Sequence, residues 1–240
     1  MRKYELTSET KVINGVKLHR IKALKSFGRV EKGELGGWIE SEKNLSQDGD
    51  AWVFDNAKVR GNAKVRGTSM VSGNASVSGN AYVGGNSCVG WNSCVCDNAT
   101  VYGNATVSGN ATVSGNAMIE DYAKVYDNAM VSDNAIVSGN ATVSGNATIS
   151  GNATVSGNAT ISGNATVRGK EDFIVFKNWW SSGRYFTWTR SNNKWDVGCF
   201  YGSGEELIAK AYKDSEKSGR EYERVVKYVE SILKEENNNK

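Results

Sequence analysis

From Val53 to Val167 every sixth residue is valine or isoleucine, twenty positions in succession without one insertion. No other feature restricts the fold as much. A helix repeats every 3.6 residues, so a strict period of six cannot keep one helical face apolar. Within a unit such as Ala105–Asn110, Ala and Val stand two apart and so point to one side of an extended strand. Thr and Ser fall on the other side. Gly and Asn tolerate left-handed backbone angles and can turn the chain between strands. A chain that strands, turns and repeats winds into a coil whose strands stack about 4.8 Å apart. The Val/Ile rows then fill the interior, Ala fits where the wall bends, and Asn can ladder along a corner. Ile39 and Leu45 keep the spacing upstream, before a two-residue offset at Ser46–Asp50 shifts the phase.

The unit [VI]-x-[GD]-N-[AS]-x resembles the hexapeptide repeat of left-handed parallel β-helix proteins, the fold of the hexapeptide acyltransferases. The resemblance covers residues 51–169. It implies three hexads per triangular coil and roughly six to seven coils at the strand spacing. It also implies a left-handed winding, against the usual crossover hand, and assembly as a homotrimer. The leader, with GELGGWIE, NLS and AWV ahead of the repeat, resembles a group of phage- and prophage-encoded hexapeptide proteins. That likeness implies a phage setting within a host bacterium.

Both ends depart from the period. Residues 1–50 read as a β-rich cap, with Val12-Ile13-Asn14-Gly15-Val16 as a hairpin on an Asn-Gly turn. Residues 170–240 read as a small α+β domain. FIVF (173–176), RYFTWTR (184–190) and WDVGCFY (195–201) form a three-stranded meander, with turns at Ser181–Gly183 and Ser191–Asn193. Two helices follow, opening at the capping boxes Ser203–Glu206 and Ser218–Glu221. The second carries an apolar stripe of Tyr222, Val225, Val226, Val229, Ile232 and Leu233, and the final EENNNK is expected to fray. The fold class is mainly β: a hexapeptide-repeat parallel β-helix between an N-terminal cap and a C-terminal α+β domain.

No apolar run reaches the length of a membrane span. The opening MRKYELTSETK is charged at once and lacks the apolar core of a secretory signal. Cys88, Cys94, Cys96 and Cys199 are too few and too clustered for a disulfide framework, which points to free thiols and a cytoplasmic protein. The 29 basic and 26 acidic residues nearly cancel, yet residues 1–34 hold nine Lys/Arg against four Glu.

The resemblance implies a histidine on a coil as general base. The one histidine, His19, lies in the leader, where a surface or packing role suits it. Glu120 and Asp121 are adjacent carboxylates on the later coils. Cys94-Val95-Cys96 sets two thiols on the outer side of one strand, without C-x-x-C spacing or a patterned His or carboxylate partner. No catalytic residue, metal or other cofactor is expected.

Lys58, Arg60, Lys64 and Arg66 stand as two outward pairs on neighbouring faces of the first coils. They serve either as a solvated guard against edge pairing or as a site for an anion, such as the phosphate of a nucleotide or nucleic acid. In the tail, Trp179, Trp180, Arg184 and Tyr185 are candidates for contact with a ligand, because aromatics interleaved with Arg can stack bases. Phe186 and Trp188 share a face that reads as core. Stacking at 18-residue intervals gathers Trp52, Phe54 and Met70 on one outer face and Tyr82, Tyr102, Met118 and Ile136 on a second. Large apolar groups on an outer wall call for a cover, either other copies of the chain or its own flanking segments.

Together these features favour a non-enzymatic, oligomeric binding or scaffold protein. It would sequester a small anionic, nucleotide-like ligand or capture a host factor, as in counter-defence. The alternatives are a hexapeptide-type acyltransferase with a displaced base and a purely structural spacer.

Overall fold

The computed structural model describes residues 2–238. Twenty two-residue strands, β4 to β23, run from Trp52–Val53 to Thr166–Val167, one to each hexad. They pair in parallel with strands three hexads away, so Val113 lies between Val95 and Val131. Three parallel sheets and about seven turns result. The Val/Ile row is fully buried, and so are the alanines two residues before it. Ser69, Ser87 and Ser93 take three of the alanine places. Each donates its hydroxyl to the carbonyl three residues back (Arg66, Gly84 or Gly90, 2.7 Å), which removes the cost of burying a polar atom.

The corners hold the left-handed residues. Most are glycine, but Asp55, Asp97, Asp121, Asp127 and Asp133 also stand there, at φ between 52° and 59°. Each of these carboxylates accepts a bond from the glycine N–H one coil on, at 2.9–3.1 Å. That bond offsets the strain which an L side chain carries there. Beside them, asparagine amides bond in series at 18-residue steps, as in Asn74–Asn92–Asn110 and Asn62–Asn80–Asn98. The third corner is different: after Asn86–Asn104, Tyr122 occupies the next asparagine place.

At the N-terminal end, β1 (Tyr4–Ile13) and β2 (Val16–Ala23) form the expected hairpin. Asn14 (φ 51°) and Gly15 (φ 78°) give both turn residues the positive φ that a tight two-residue hairpin requires. Next, β3 (Leu35–Ile39) runs antiparallel to β2 and parallel to the coil strand β5 (Lys58–Val59), so the hairpin continues one wall of the coil. Ile39, Leu45 and Val53 make a first turn beneath Val59, Val65 and Val71. The offset between Leu45 and Val53 leaves carbonyls without a regular partner, and side chains reach them. The Asn44 amide donates to the Gly61 and Ala63 carbonyls at 2.9 Å. The Lys3 ammonium lies 2.8 Å from the Ala51 carbonyl and 3.3 Å from that of Gly49, and the Tyr4 hydroxyl donates to Leu45 at 2.7 Å.

The C-terminal sheet has four strands, not the three predicted: β24 (Phe173–Lys177), β25 (Tyr185–Thr189), β26 (Lys194–Val197) and β27 (Phe200–Gly202). The stretch 195–201 is a hairpin because Gly198, at φ 62°, turns the chain back. Both faces of this sheet are covered. Phe173 and Val175 pack on the coil interior, while Ile174, Phe176, Phe186, Trp188, Trp195 and Val197 pack against the helices. On the coil side, Thr187 accepts from the Thr160 N–H at 3.0 Å and Ser191 from that of Thr166 at 2.6 Å, while Ser162 donates to Asp196. Open backbone donors on the last coil thus meet side-chain acceptors, and this blocks pairing with another edge.

Helix α1 (Gly204–Asp214) starts at the capping box predicted, with Ser203 accepting from the Glu206 N–H. Helix α2 (Glu216–Asn238) starts earlier than the Ser218 box suggests. Ser215 accepts from the Ser218 N–H, and Ser218–Gly219 lie inside the first turns. Gly219 is there for space: a Cβ would overlap the Tyr212 ring of α1. Helix α2 continues through Asn238, into the stretch where the sequence suggests a frayed end; Asn239 and Lys240 lie outside the described residues. The helix runs on, and Glu236 is held by Arg190.

Candidate functional site

The basic residues of the first coils divide between two sheets, with Lys58 on one and Lys64 on the next. Lys64 and Arg66 are exposed, and Arg60 is half-buried. Lys58 is drawn into a different group, because the register sets it beside Trp38 and Trp38 beside Arg20. The Lys11 ammonium lies 4.0 Å above the centre of the Trp38 ring and the Arg20 guanidinium 5.3 Å from it. The Arg20 Nε–H donates to the Gly36 carbonyl at 3.0 Å, and its Nη1 lies 3.6 Å from Glu9. Burial pushes the Lys11 amine down to about 8, with Lys58 and Arg20 adding to the shift and Glu9 opposing it. Trp38 is 6% exposed, and its buried Nε1 has no hydrogen-bond partner. Sequence reasoning singled out Lys58 but not Lys11, Arg20 or Trp38. The usable signal was a Trp in the outward place of GGWIE.

Among the proposed interface residues, Trp52 is a correction. It is fully buried under its own N-terminal cap, with the rings of Phe27 and Tyr4 edge-on at 5.3 and 6.0 Å. It is therefore unavailable to another copy. Phe54 is half-buried against the same cap. Phe54 and Met70 line a groove of about 230 Å³ with Arg29 and Val30 of the loop above. The second face keeps its row. Tyr82 and Tyr102 have ring centres 6.3 Å apart, and Met118 pairs in register with Ile136. Gly84 makes this possible, because a Cβ there would overlap the Tyr82 ring. On the coil, two exposed aromatics stand outside the rows named from sequence: Tyr122 at the irregular corner, and Trp91, 74% exposed at φ 60° in a place otherwise given to Gly or Asp.

In the tail, Phe186 and Trp188 are buried as expected. Trp180 belongs with them, its ring centre 6.0 Å from both Phe186 and Tyr222. That packing buries part of the ring and leaves part of its surface exposed. Trp179 is 82% exposed and Tyr185 half-buried, with Lys177 5.9 Å from its ring. Arg184 borders a small recess with Cys199, Lys210 and Tyr222. The structure does not bring Trp179, Arg184 and the basic coil residues together; they lie at opposite ends of the coil stack.

Reactive groups are sparse on the coils. Asp121 is engaged with the Gly139 N–H at 3.0 Å, and His19 Nδ1 sits 3.4 Å from the Thr7 carbonyl. Burial, helped by Cys94 and Asp97, pushes the Cys96 thiol up to about 12, away from the thiolate form that nucleophiles and metal ligands need. Among the described residues no group of three His, Cys, Asp or Glu side chains is placed to hold a metal ion.

A profile described as "YdcK Beta solenoid repeat" matches residues 95–109, 99–115, 105–121, 123–139 and 147–162. With the parallel register and the buried Val/Ile row, this settles the class. The chain is a repeat β-helix protein. A relative from Escherichia coli (strain K12), named "Uncharacterized acetyltransferase YdcK", is 34% identical over 67 residues. The match takes in 25% of this β-helix protein and spans about a fifth (21%) of the relative. No helix of the described residues is long and apolar enough to cross a membrane.

Proposed function

We propose that this β-helix protein is a rigid, non-enzymatic scaffold. It assembles as a homotrimer and holds an anionic, nucleotide-like ligand or a host protein. The observation that carries the reading is the contrast on its outer wall. The corners are occupied by amides and carboxylates already bonded to one another or to the backbone. One face instead carries Tyr82, Tyr102, Met118 and Ile136 across four successive coils, with Tyr102 half exposed at 50%. That strip, about 15 Å long at the strand spacing, suits the same strip on further copies around a three-fold axis. The host setting follows the leader's resemblance to phage and prophage proteins, and counter-defence is the role that fits a captured signal. Four free thiols suit a cytoplasm.

A second reading, acyl transfer, is favoured by the name of the E. coli relative. One experiment weighs both. The full chain is sized by light scattering, then incubated with acetyl-CoA and a panel of amines and sugars while free thiol is followed. The scaffold reading expects a trimer that Tyr102→Asp with Met118→Asp converts to monomer, and no release of CoA above background. Turnover of acetyl-CoA would replace it with the enzymatic reading, and a monomeric native chain would remove the trimer.

A further inference from the structure

Three strands of one sheet bring three cations to a single indole. Lys11 comes from β1, Arg20 from β2 and Lys58 from β5, and Trp38 of β3 lies among them. All three cations are partly buried. Glu9, 3.6 Å from Arg20, is the carboxylate that faces the group, so the cluster is left with two uncompensated positive charges. The ring attracts each cation that it faces only weakly. That attraction is less than the repulsion and desolvation which gathering like charges entails, and Lys11 registers the deficit as a readier loss of its proton. The indole N–H of the same ring is buried without an acceptor. The contacts that hold the three cations here leave their like charge largely unneutralised. An arrangement of this kind becomes favourable when an anion completes it.

We propose that Lys11, Arg20 and Lys58, gathered at Trp38, form a binding site for a phosphate-type dianion. A dianion matches the two unbalanced charges. Its tetrahedral oxygens can accept from two ammonium groups and a guanidinium at once, through charge-assisted bonds that are the strong ones. A phosphate monoester has its second pKa near about 6, so it is fully dianionic where Lys11 titrates. The biological use of the site rests on the scaffold reading, but its chemistry does not. The same chemistry is offered by a phosphate ester and by free phosphate, and the test separates these sources.

The full chain is titrated calorimetrically with inorganic phosphate and with adenosine 5′-monophosphate at about pH 8.5, with chloride of equal ionic strength as control. Two buffers of different ionisation heat report proton exchange. The expected result is binding above the chloride control with net proton uptake, because the dianion pulls Lys11 back towards its ordinary value. Lys11→Gln and Lys58→Gln should each weaken binding about tenfold, and Lys11→Gln should abolish the uptake. Lys11→Arg should keep the binding and lose the uptake, and thermal melts of each variant check that the fold is intact. Tighter binding of the monophosphate marks an ester as the ligand; equal or weaker binding marks the free anion. No binding beyond chloride, or binding that both Gln variants leave unchanged, overturns the site. That failure leaves the scaffold reading standing, whereas turnover of acetyl-CoA would remove the scaffold reading and leave the site.

Discussion

Arg190 grips both carboxylate oxygens of Glu236, with Nη1 at 2.6 Å and Nη2 at 3.1 Å, and so ties the meander to the last turns of the long helix. The same guanidinium donates its Nε–H to the Glu171 carbonyl at 2.9 Å. Arg190→Ala should cost about 0.5–1 kcal/mol, because both side chains are part-exposed and screened. Amide exchange should speed up selectively over residues 232–238. Unchanged exchange there would show that the helix end is held by other contacts.

Lys3 closes the other end. Lys3→Met keeps the apolar stem but leaves the Ala51 and Gly49 carbonyls without their donor, at a cost of about 2–3 kcal/mol in denaturant unfolding near neutral pH. Burial lowers the Lys3 amine to about 8, against an ordinary value of 10.5. Between those values the unfolded chain binds more protons than the folded one, so folding strengthens as pH rises. The difference in slope between wild type and Lys3→Met should therefore be confined to the window from about 8 to 10.5. A slope difference below that window would contradict the assignment.

Trp91 offers a gain. A non-glycine residue at φ 60° carries about 1–2 kcal/mol of backbone strain, and a ring 74% exposed returns little burial. Trp91→Gly should raise stability by about 1 kcal/mol in a urea titration. A loss on that substitution would mean that packing of the ring outweighs the strain.

The four thiols should not react alike. Cys199 is exposed, whereas Cys96 is half-buried with its thiol pushed up to about 12. Alkylation near neutral pH, followed by peptide mass spectrometry, should label Cys199 at least about tenfold faster than Cys96. Equal rates would mean that the coil wall opens around residue 96.

The coil was legible from one row of residues, because a six-residue period fixes which side chains face inward. The groups that matter around Trp38 were not. Lys11 and Arg20 share the predicted hairpin, but Trp38 and Lys58 come from further along the chain, and only the register of β2, β3 and β5 brings them to that hairpin. Trp52 followed the repeat and still read wrongly, since the hairpin and Phe27 that cover it come from outside the repeat. In the tail, alternation was read as core against surface. The sheet in fact has two buried faces, one on the helices and one on the coil end, so Thr187 and Asp196 are held in place as firmly as Phe186 and Trp195. The start of the second helix was misplaced because Ser218–Gly219 imitates a cap, while the glycine makes room for Tyr212.

The near-identity of the coils has a cost that the ends resolve. Sliding the chain by 18 residues exchanges Val for Val and Asn for Asn along much of the wall, so the middle of the protein carries almost no address of its own. A growing stack could begin one turn late and lose little. The irregular first turn removes that freedom. Its two extra residues, stitched by Asn44 and Lys3, fit nothing further along. They work as the zero mark on a ruler whose other divisions are alike, and counting from them places each exceptional side chain on its proper coil.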